Sequence, residues 1–380
     1  MDIKRILLQL KNNDNFRFFA PLKHHDIFVY ENNQKLLNLA SNDYLGLSAN
    51  HTLKREFLES VRTEDMLFSS SSSRLLSGNF EIYEKCESLL HSLYHKHTLL
   101  FNSGYHANIS CIQALSTIPH TLFVIDRFIH ASVIDGLRLG KARFKSFEHN
   151  NMHELEQILN DNTKSYENII IISEGVFSME GDFAPLDKIV RLKKQFDNVF
   201  IYLDEAHSVG IIGENGLGLA AYLHLLESID FAILTFGKAI ASVGACMLCS
   251  EDLRTFFINF ARGLIFSTAL PPINVAFSYF VFSKIHSFCK EREYMKNISS
   301  YIKEDLQKKG YKVLGENHIL SVLCGENTQA LALSSRLKER GIFAPAIKYP
   351  SVAKHSARVR FSLNSALTQE HIESLLKAFE

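Results

Sequence analysis

Lys238 sits where an amine could bond to a carbonyl. It follows Thr235-Phe236-Gly237 between two short apolar runs, Phe231 to Leu234 and Gly244 to Leu248, and Ala239, Ala241 and Ser242 keep its surroundings small. Schiff-base chemistry needs such an amine, with apolar neighbours and little steric cover; a surface lysine in a turn is the competing reading. A second group stands in an equivalent place: Asp204 opens Asp-Glu-Ala-His directly after the apolar run Val199 to Leu203. A strand-end carboxylate with a strand-end lysine points to pyridoxal phosphate, whose ring nitrogen is partnered by an Asp and whose aldehyde is held by a Lys.

Positioning these groups requires a sheet. Short apolar runs at Thr98 to Phe101, Leu122 to Ile125, Ile169 to Ile172, Val199 to Leu203 and Phe231 to Leu234 alternate with segments of helical spacing. The four isoleucines at 169–172 suit a parallel strand covered on both faces. Such alternation predicts an open α/β sheet with its ligand beyond the strands' carboxyl ends. Ser103, His130, Ser178, Asp204, His207 and Lys238 all follow such runs, which gathers six polar residues at one edge. The turn Asn102-Ser103-Gly104 leads into a helical pattern from Tyr105 to Leu115, an arrangement that can hold a phosphate on free backbone N–H groups.

Outside that frame, residues 1–16 have the spacing of an amphipathic helix, and Asn32-Asn33 marks a small hairpin. Arg17 lies among Phe16, Phe18 and Phe19, either packed on them through its stem or serving as an anion clamp. Five serines at 69–73 run straight into Arg74 and a helix from Glu81, which argues against a flexible linker. A long helical stretch is expected over 274–309, then a smaller α+β lobe over 311–380. In that lobe Arg358 and Arg360 share one face of a strand, and the period alone does not say which meets a ligand. Three units follow: an N-terminal segment at 1–45, a large α/β domain at 46–275 and a small C-terminal domain at 276–380.

Bulk properties narrow the partners. Lys plus Arg equals Asp plus Glu, 41 each, so no global charge favours nucleic acid or an anionic membrane. The apolar runs are too short to span a bilayer and the first residues do not form a secretory leader, so a cytoplasmic protein is expected. Cys246-x-x-Cys249 lies in a strand-like run whose period sends the two thiols to opposite faces, against a redox or zinc role. His91, His95 and His97 lack a further ligand of clear spacing, and no metal is expected.

From about Arg17 onward the chain resembles the α-oxoamine synthases, a branch of the fold-type I pyridoxal-phosphate enzymes. The resemblance rests on SNDYLGLS, SRLLSGN, FNSGYHAN, DRFIHAS, SEGVFSMEGD, DEAHSVGIIGENGLG, TFGKA, FSTALPP and ARVRFS, in that order. It implies a large, mostly parallel-sheet domain with a smaller C-terminal α+β domain, and a homodimer with shared active sites. Carried over motif by motif, Lys238 would hold the cofactor's aldehyde and move protons at the substrate's Cα. Asp204 would pair with the ring nitrogen, His207 would bond the phenolic oxygen with Ser178 nearby, and His130 would stack on the ring. Backbone N–H groups of Gly104 and Tyr105, with Thr235 and a partner subunit's Thr268, would hold the phosphate. Arg360 with Asn42 would bind the substrate carboxylate, and Arg17 would meet the far end of the acyl chain.

Within the family, the motifs SEGVFSMEGDFAPL and FARGLIFSTALPP imply condensation of L-alanine with a pimeloyl thioester in biotin synthesis. The alternative is a relative that uses glycine and a short acyl-CoA. Three departures bear on acyl recognition: serines at 69–72 where relatives have glycines, Tyr83 where a histidine is common, and Lys348-Tyr349-Pro350-Ser351-Val352-Ala353 near the C-terminus. Borohydride reduction of the pyridoxal-phosphate-loaded protein, followed by peptide mapping, should place the pyridoxyl group on Lys238. A label on a different lysine would overturn the assignment.

Overall fold

The computed structural model describes residues 2–12 and 15–380. The chain forms two compact units, one of residues 50–178 and 183–292, the other of residues 1–49, 179–182 and 293–380.

The larger unit is built on a seven-stranded sheet. Its order is His97–Phe101, Ala245–Cys249, Phe231–Thr235, Val199–Asp204, Asn168–Glu174, Thr121–Asp126 and Arg143–Phe147. Six of these run in one direction, and Ala245–Cys249 alone is reversed, antiparallel to both its neighbours. The isoleucine run lies in the middle of the order, buried at every position from 169 to 172, as a strand covered on both faces requires. Parallel register sets Glu174 beside Asp204, so these two strands end in step, and Asp204 beside Ile233 of a strand that runs on to Thr235. Helix Gly104–Leu115 begins where Ser103 caps it by accepting a hydrogen bond from the His106 N–H. Helix Ala131–Leu139 has an unusual cap, the Nδ1 of His130, which accepts from the Ser132 N–H. Phe123, Ile172, Tyr202 and Ile233 pack with Cys111, Ile112 and Val133 of these two helices into one core.

The smaller unit joins early and late parts of the sequence. Phe28–Glu31 and Gln34–Asn38 form a hairpin turned by Asn32 and Asn33, both with positive φ. Gln34–Asn38 then pairs in parallel with Ile342–Phe343. A second sheet holds Val313–Leu314, Ile319–Gly325, Ala357–Ser362 and Ala346–Ile347, with every pair antiparallel. Leu37, Leu39, Ile298, Ile302, Val359 and Phe361 share its core. Leu37 and Leu39 thus share one core with residues from 293–380, with Ile27 and Phe28 packed against it.

Two elements differ from the sequence expectation. The helix expected over 1–16 spans Ile3–Asn12, and residues 1, 13 and 14 of that stretch lie outside the described residues. The helix expected over 274–309 is broken into Pro272–Ser283, a 3₁₀ turn at Ile285–Phe288, and Cys289–Lys308. At the break the Arg292 guanidinium donates to the carbonyls of Ile285 and His286 and to that of Glu214. Those contacts tie 285–292 to the larger unit, which runs on to residue 292.

Ile171 is fully buried in the central strand. Ile171→Ala should cost about 2–5 kcal/mol in chemical denaturation, as core truncations of this size do. A loss under about 1 kcal/mol would mean that the strand's surroundings collapse around the change.

Candidate functional site

Lys238 stands on a short, well-tied loop between Phe231–Thr235 and Ala245–Cys249. Phe236 N–H bonds the Gly244 carbonyl and Ser242 N–H bonds that of Phe236, which closes the loop across its neck. Ala241 N–H donates to the Lys238 carbonyl, with Ala241 itself at φ +53°. Ala239 and Ile240 are buried and anchor the loop, while Lys238 is half-buried. The amine is therefore carried on backbone fixed at both ends.

Asp204 ends its strand almost fully buried. Its Oδ1 accepts the Ala206 N–H at 2.9 Å and its Oδ2 accepts the Asn108 amide at 2.8 Å. A buried carboxylate needs such donors in place of water. The same Asn108 amide donates to Ser132 Oγ at 3.0 Å, and its oxygen accepts the Tyr202 hydroxyl at 2.8 Å. Ser132 Oγ lies 2.7 Å from His130 Nδ1. The His130 side chain, though exposed overall, is held below the ordinary imidazole range by desolvation and by Lys238, with Asp204 and Asp135 opposing. Glu174 is buried beside Asp204, and burial, reinforced by the Asp204 charge, pushes its carboxyl well above the usual range; Lys238 opposes this. One carboxylate in the pair is thus solvated by neutral donors and the other is driven to hold its proton.

Gly104 opens its helix against Thr235: a Cβ at Gly104 would lie 2.4 Å from Thr235 Cγ2. Only a residue without a side chain lets the helix N-terminus come this close to the strand end. Thr235 is buried and donates to the Ala206 carbonyl at 3.3 Å. Tyr105 is exposed, with its hydroxyl on Asp135 at 2.6 Å and its ring edge-on to His130 at 6.5 Å. His207 is buried and Ser178 half-buried. Thr268 keeps an exposed side chain while its carbonyl accepts the Asn102 amide at 2.7 Å.

The serine run is an ordered segment. Ser70 is buried and donates to the carbonyls of Ser72 and Ala269, and Ser71 has φ +53°. Left-handed backbone at Ser71 is a conformation that glycine adopts without strain. Tyr83 is buried, its hydroxyl donating to the Leu270 carbonyl and its ring 4.9 Å from the Arg74 guanidinium.

In the smaller unit the two arginines of Ala357–Ser362 have different surroundings. Arg358 is buried and committed: it donates to the carbonyls of Ser356 and Met179 and pairs with Glu180 at 2.8 Å. Arg360 donates through one nitrogen, Nη2, to Asn42 Oδ1 at 3.2 Å and to the Tyr44 hydroxyl at 3.3 Å. Its Nε is buried without a hydrogen-bond partner. Tyr44 is fully buried and its hydroxyl pKa is pushed up to about 12 by burial, so it stays neutral beside the cation. Arg17 is exposed and donates to Ser351 Oγ at 3.2 Å, with Phe18 and Phe19 also exposed.

The larger unit therefore brings together Lys238, Asp204 and His130, with Gly104 against Thr235, at the strands' carboxyl ends. His207 and Ser178 follow the strands Val199–Asp204 and Asn168–Glu174, and the smaller unit sets Asn42 against Arg360. Sequence reasoning missed Asn108, Ser132, Tyr202, Glu174 and Tyr44. Glu174 was the most accessible of these, since it ends the isoleucine run as Asp204 ends its own. Cys246 and Cys249 are buried free thiols, with Cys249 pushed up to about 12 by burial. Among the described residues no group of His, Cys, Asp and Glu could hold a metal ion, and no helix is long and apolar enough to cross a membrane.

Comparison with known proteins places the chain. The profile of the family "Aminotransferase class I and II" matches residues 34–379. The chain is 40% identical over 374 residues to a protein of Haemophilus influenzae named "Putative 8-amino-7-oxononanoate synthase", covering 98% of each. It is 41% identical over 370 residues to a protein of the same name from Neisseria meningitidis, covering 97% of each. Among solved structures it is similar to the Sphingomonas wittichii serine palmitoyltransferase, with TM-score 0.89 and 26% identity over all of this chain and 95% of that one. It is also similar to the 8-amino-7-oxononanoate synthase of Francisella tularensis, with TM-score 0.77 and 26% identity over 90% and 96%. These likenesses extend across both units and include the sheet that carries the site. The chain belongs to the class I and II aminotransferase family and, within it, to the α-oxoamine synthases.

Proposed function

We propose that this protein is a pyridoxal-phosphate-dependent acyltransferase that condenses L-alanine with a pimeloyl thioester, releasing carbon dioxide and a thiol. The product is 8-amino-7-oxononanoate, an intermediate of biotin synthesis. The observation that carries the reading is the gathering of Lys238, Asp204 and His130 at one sheet edge. It comes in a chain about 40% identical, nearly end to end, to proteins named for that synthase.

The residues fit the cofactor. Asp204 is a buried carboxylate solvated by neutral donors, a partner for a protonated ring nitrogen. The helix that starts at Gly104 offers its N-terminal N–H groups beside Thr235, in a cradle that a Cβ would fill. Lys238 supplies the amine that anchors the aldehyde, His207 and Ser178 attend the phenolic oxygen, and His130 offers a flat neutral ring. When bound, pyridoxal phosphate supplies an electron sink for a carbanion at the amino acid's Cα.

The chain's own groups do the rest. Arg360 and Asn42 take the amino acid's carboxylate, and the Arg360 Nε–H is a buried donor still to be matched. Lys238 takes the Cα proton and later returns one. A carbon–carbon bond then forms between Cα and the thioester carbonyl, the thiol leaves, and the β-keto acid loses carbon dioxide. His130 steadies charge on the ketone oxygen during that loss. Arg17 is assigned to the distal carboxylate of the pimeloyl chain.

The enzyme acts as a homodimer in which Thr268 reaches the partner's phosphate site. Support comes from Phe68, Leu76 and Phe266, exposed by 80%, 83% and 71% near the segment that bears Thr268. Large apolar side chains exposed to this degree suit a subunit interface.

The direct experiment incubates the loaded protein with alanine or glycine against pimeloyl, acetyl and carrier-protein thioesters and reads product mass. Alanine with a pimeloyl thioester should give the aminoketone; product only from glycine and acetyl-CoA would replace this reading with the alternative. The two arginines should separate in the same system. Arg360→Ala should raise the KM for alanine by about 10- to 100-fold, the loss of a charge-assisted contact, with little change in melting temperature. Arg358→Ala should instead cost about 3–5 kcal/mol of stability by taking the cation from Glu180. The reverse pattern would make Arg358 the carboxylate ligand.

A further inference from the structure

The buried polar chain behind His130 has a use beyond holding two helices together. Helices Gly104–Leu115 and Ala131–Leu139 approach closely at Gly136, where a Cβ would lie 3.1 Å from Ile112 Cβ and 3.2 Å from the Asn108 carbonyl oxygen. That approach sets Asn108 of the first helix against Ser132 of the second, both fully or almost fully buried. We propose that Asn108 and Ser132 are positioning residues that lock the His130 imidazole as its Nε2–H tautomer and tie it to the Asp204 carboxylate.

The assignment follows from counting donors and acceptors. Asp204 Oδ2 only accepts, so the group of Asn108 that lies 2.8 Å from it is the amide nitrogen. That orientation turns the Asn108 oxygen to the Tyr202 hydroxyl, which donates to it at 2.8 Å. The second amide hydrogen goes to Ser132 Oγ at 3.0 Å. Ser132 Oγ accepts on that side and keeps its single hydrogen to give, and His130 Nδ1 lies 2.7 Å away. The Ser132 backbone N–H also points at Nδ1, at 3.2 Å. A backbone N–H can only donate, so Nδ1 presents its lone pair, the Ser132 hydroxyl donates to it as well, and the ring proton resides on Nε2.

The charged groups around the ring agree with a neutral imidazole. Lys238 disfavours a second ring proton, and so does desolvation, the largest effect. Asp204 and Asp135 favour it. A doubly protonated ring would need Nδ1 to donate, which would leave the Ser132 backbone N–H without its acceptor. The ring thus presents a single donor and a single tautomer. Its use in catalysis rests on the proposed function, but its geometry does not.

The test uses nitrogen-15 NMR of histidine-labelled full-length protein without added cofactor, with the His130 signals identified by their loss in His130→Gln. The wild type should show an unprotonated, hydrogen-bonded Nδ1 and a protonated Nε2 through neutral pH. Ser132→Ala removes the hydroxyl and leaves the backbone N–H. It should give mixed tautomers and a protonation midpoint moved up toward that of an exposed histidine. A protonated Nδ1 in the wild type would overturn the proposal, as would an unchanged tautomer and midpoint in Ser132→Ala. If Ser132→Ala does not fold, the wild-type spectrum decides alone. Because no substrate is present, a locked ring in a protein that fails the condensation assay would overturn the proposed function and leave this inference standing.

Discussion

The site is organised around one carboxylate that water barely reaches, Asp204. Asp204 is 4% exposed, and a buried carboxylate needs hydrogen-bond donors from the protein in place of water. The protein answers with the Ala206 N–H on one oxygen and the Asn108 amide on the other. The second donor has requirements of its own: Asn108 must be oriented by Tyr202 and must lie one turn into a helix that starts close to the strand ends. The glycine at 104 and the tight helix pair at Gly136 both serve that placement. Glu174, in the adjacent register position, has one oxygen lacking a hydrogen-bond partner, and desolvation there favours the neutral acid.

The parallel sheet makes this contrast possible. Neighbouring strands end in step, so Glu174, Asp204 and the turn before Lys238 are delivered side by side by backbone hydrogen bonding alone. Helix starts are delivered to the same edge, because each strand must turn there to reach its crossover. The loops that carry the reactive groups are short and tied across their necks, which holds Lys238 without a long lever arm. Rigid elements below and short loops above are what a preorganised site requires.

Much of this was legible in the residues. Apolar runs of strand length located the sheet, and the polar residue after each run located the edge. Lys238, Asp204 and His130 were readable because each follows a short apolar run. Asn108, Ser132 and Tyr202 were not, because each fits its element: an Asn or Ser on a helix face and a Tyr inside a strand raise no signal until the helices are placed. The choice between Arg358 and Arg360 was likewise closed to a period of two. It depends on Glu180 and Asn42, residues far off in the sequence whose approach only the folded smaller unit creates. The break near 285 was hidden because its cause, Arg292 reaching three carbonyls, is a long side chain acting on backbone.

The smaller unit draws together the beginning and the later part of the sequence, with Gln34–Asn38 held in parallel against Ile342–Phe343. During synthesis on the ribosome these two strands emerge far apart in time. The larger unit, lying between them in the sequence, is available to fold first. The N-terminal hairpin must wait with one edge open until the late strand arrives, and an open strand edge is a template for mispairing. Here the exposed strand Lys23–His25, with its charged and polar side chains, covers the other edge of that hairpin. The nascent chain thus waits with its outer edge formed by a short, exposed strand of Lys and His side chains and with the Gln34–Asn38 edge alone left to be paired.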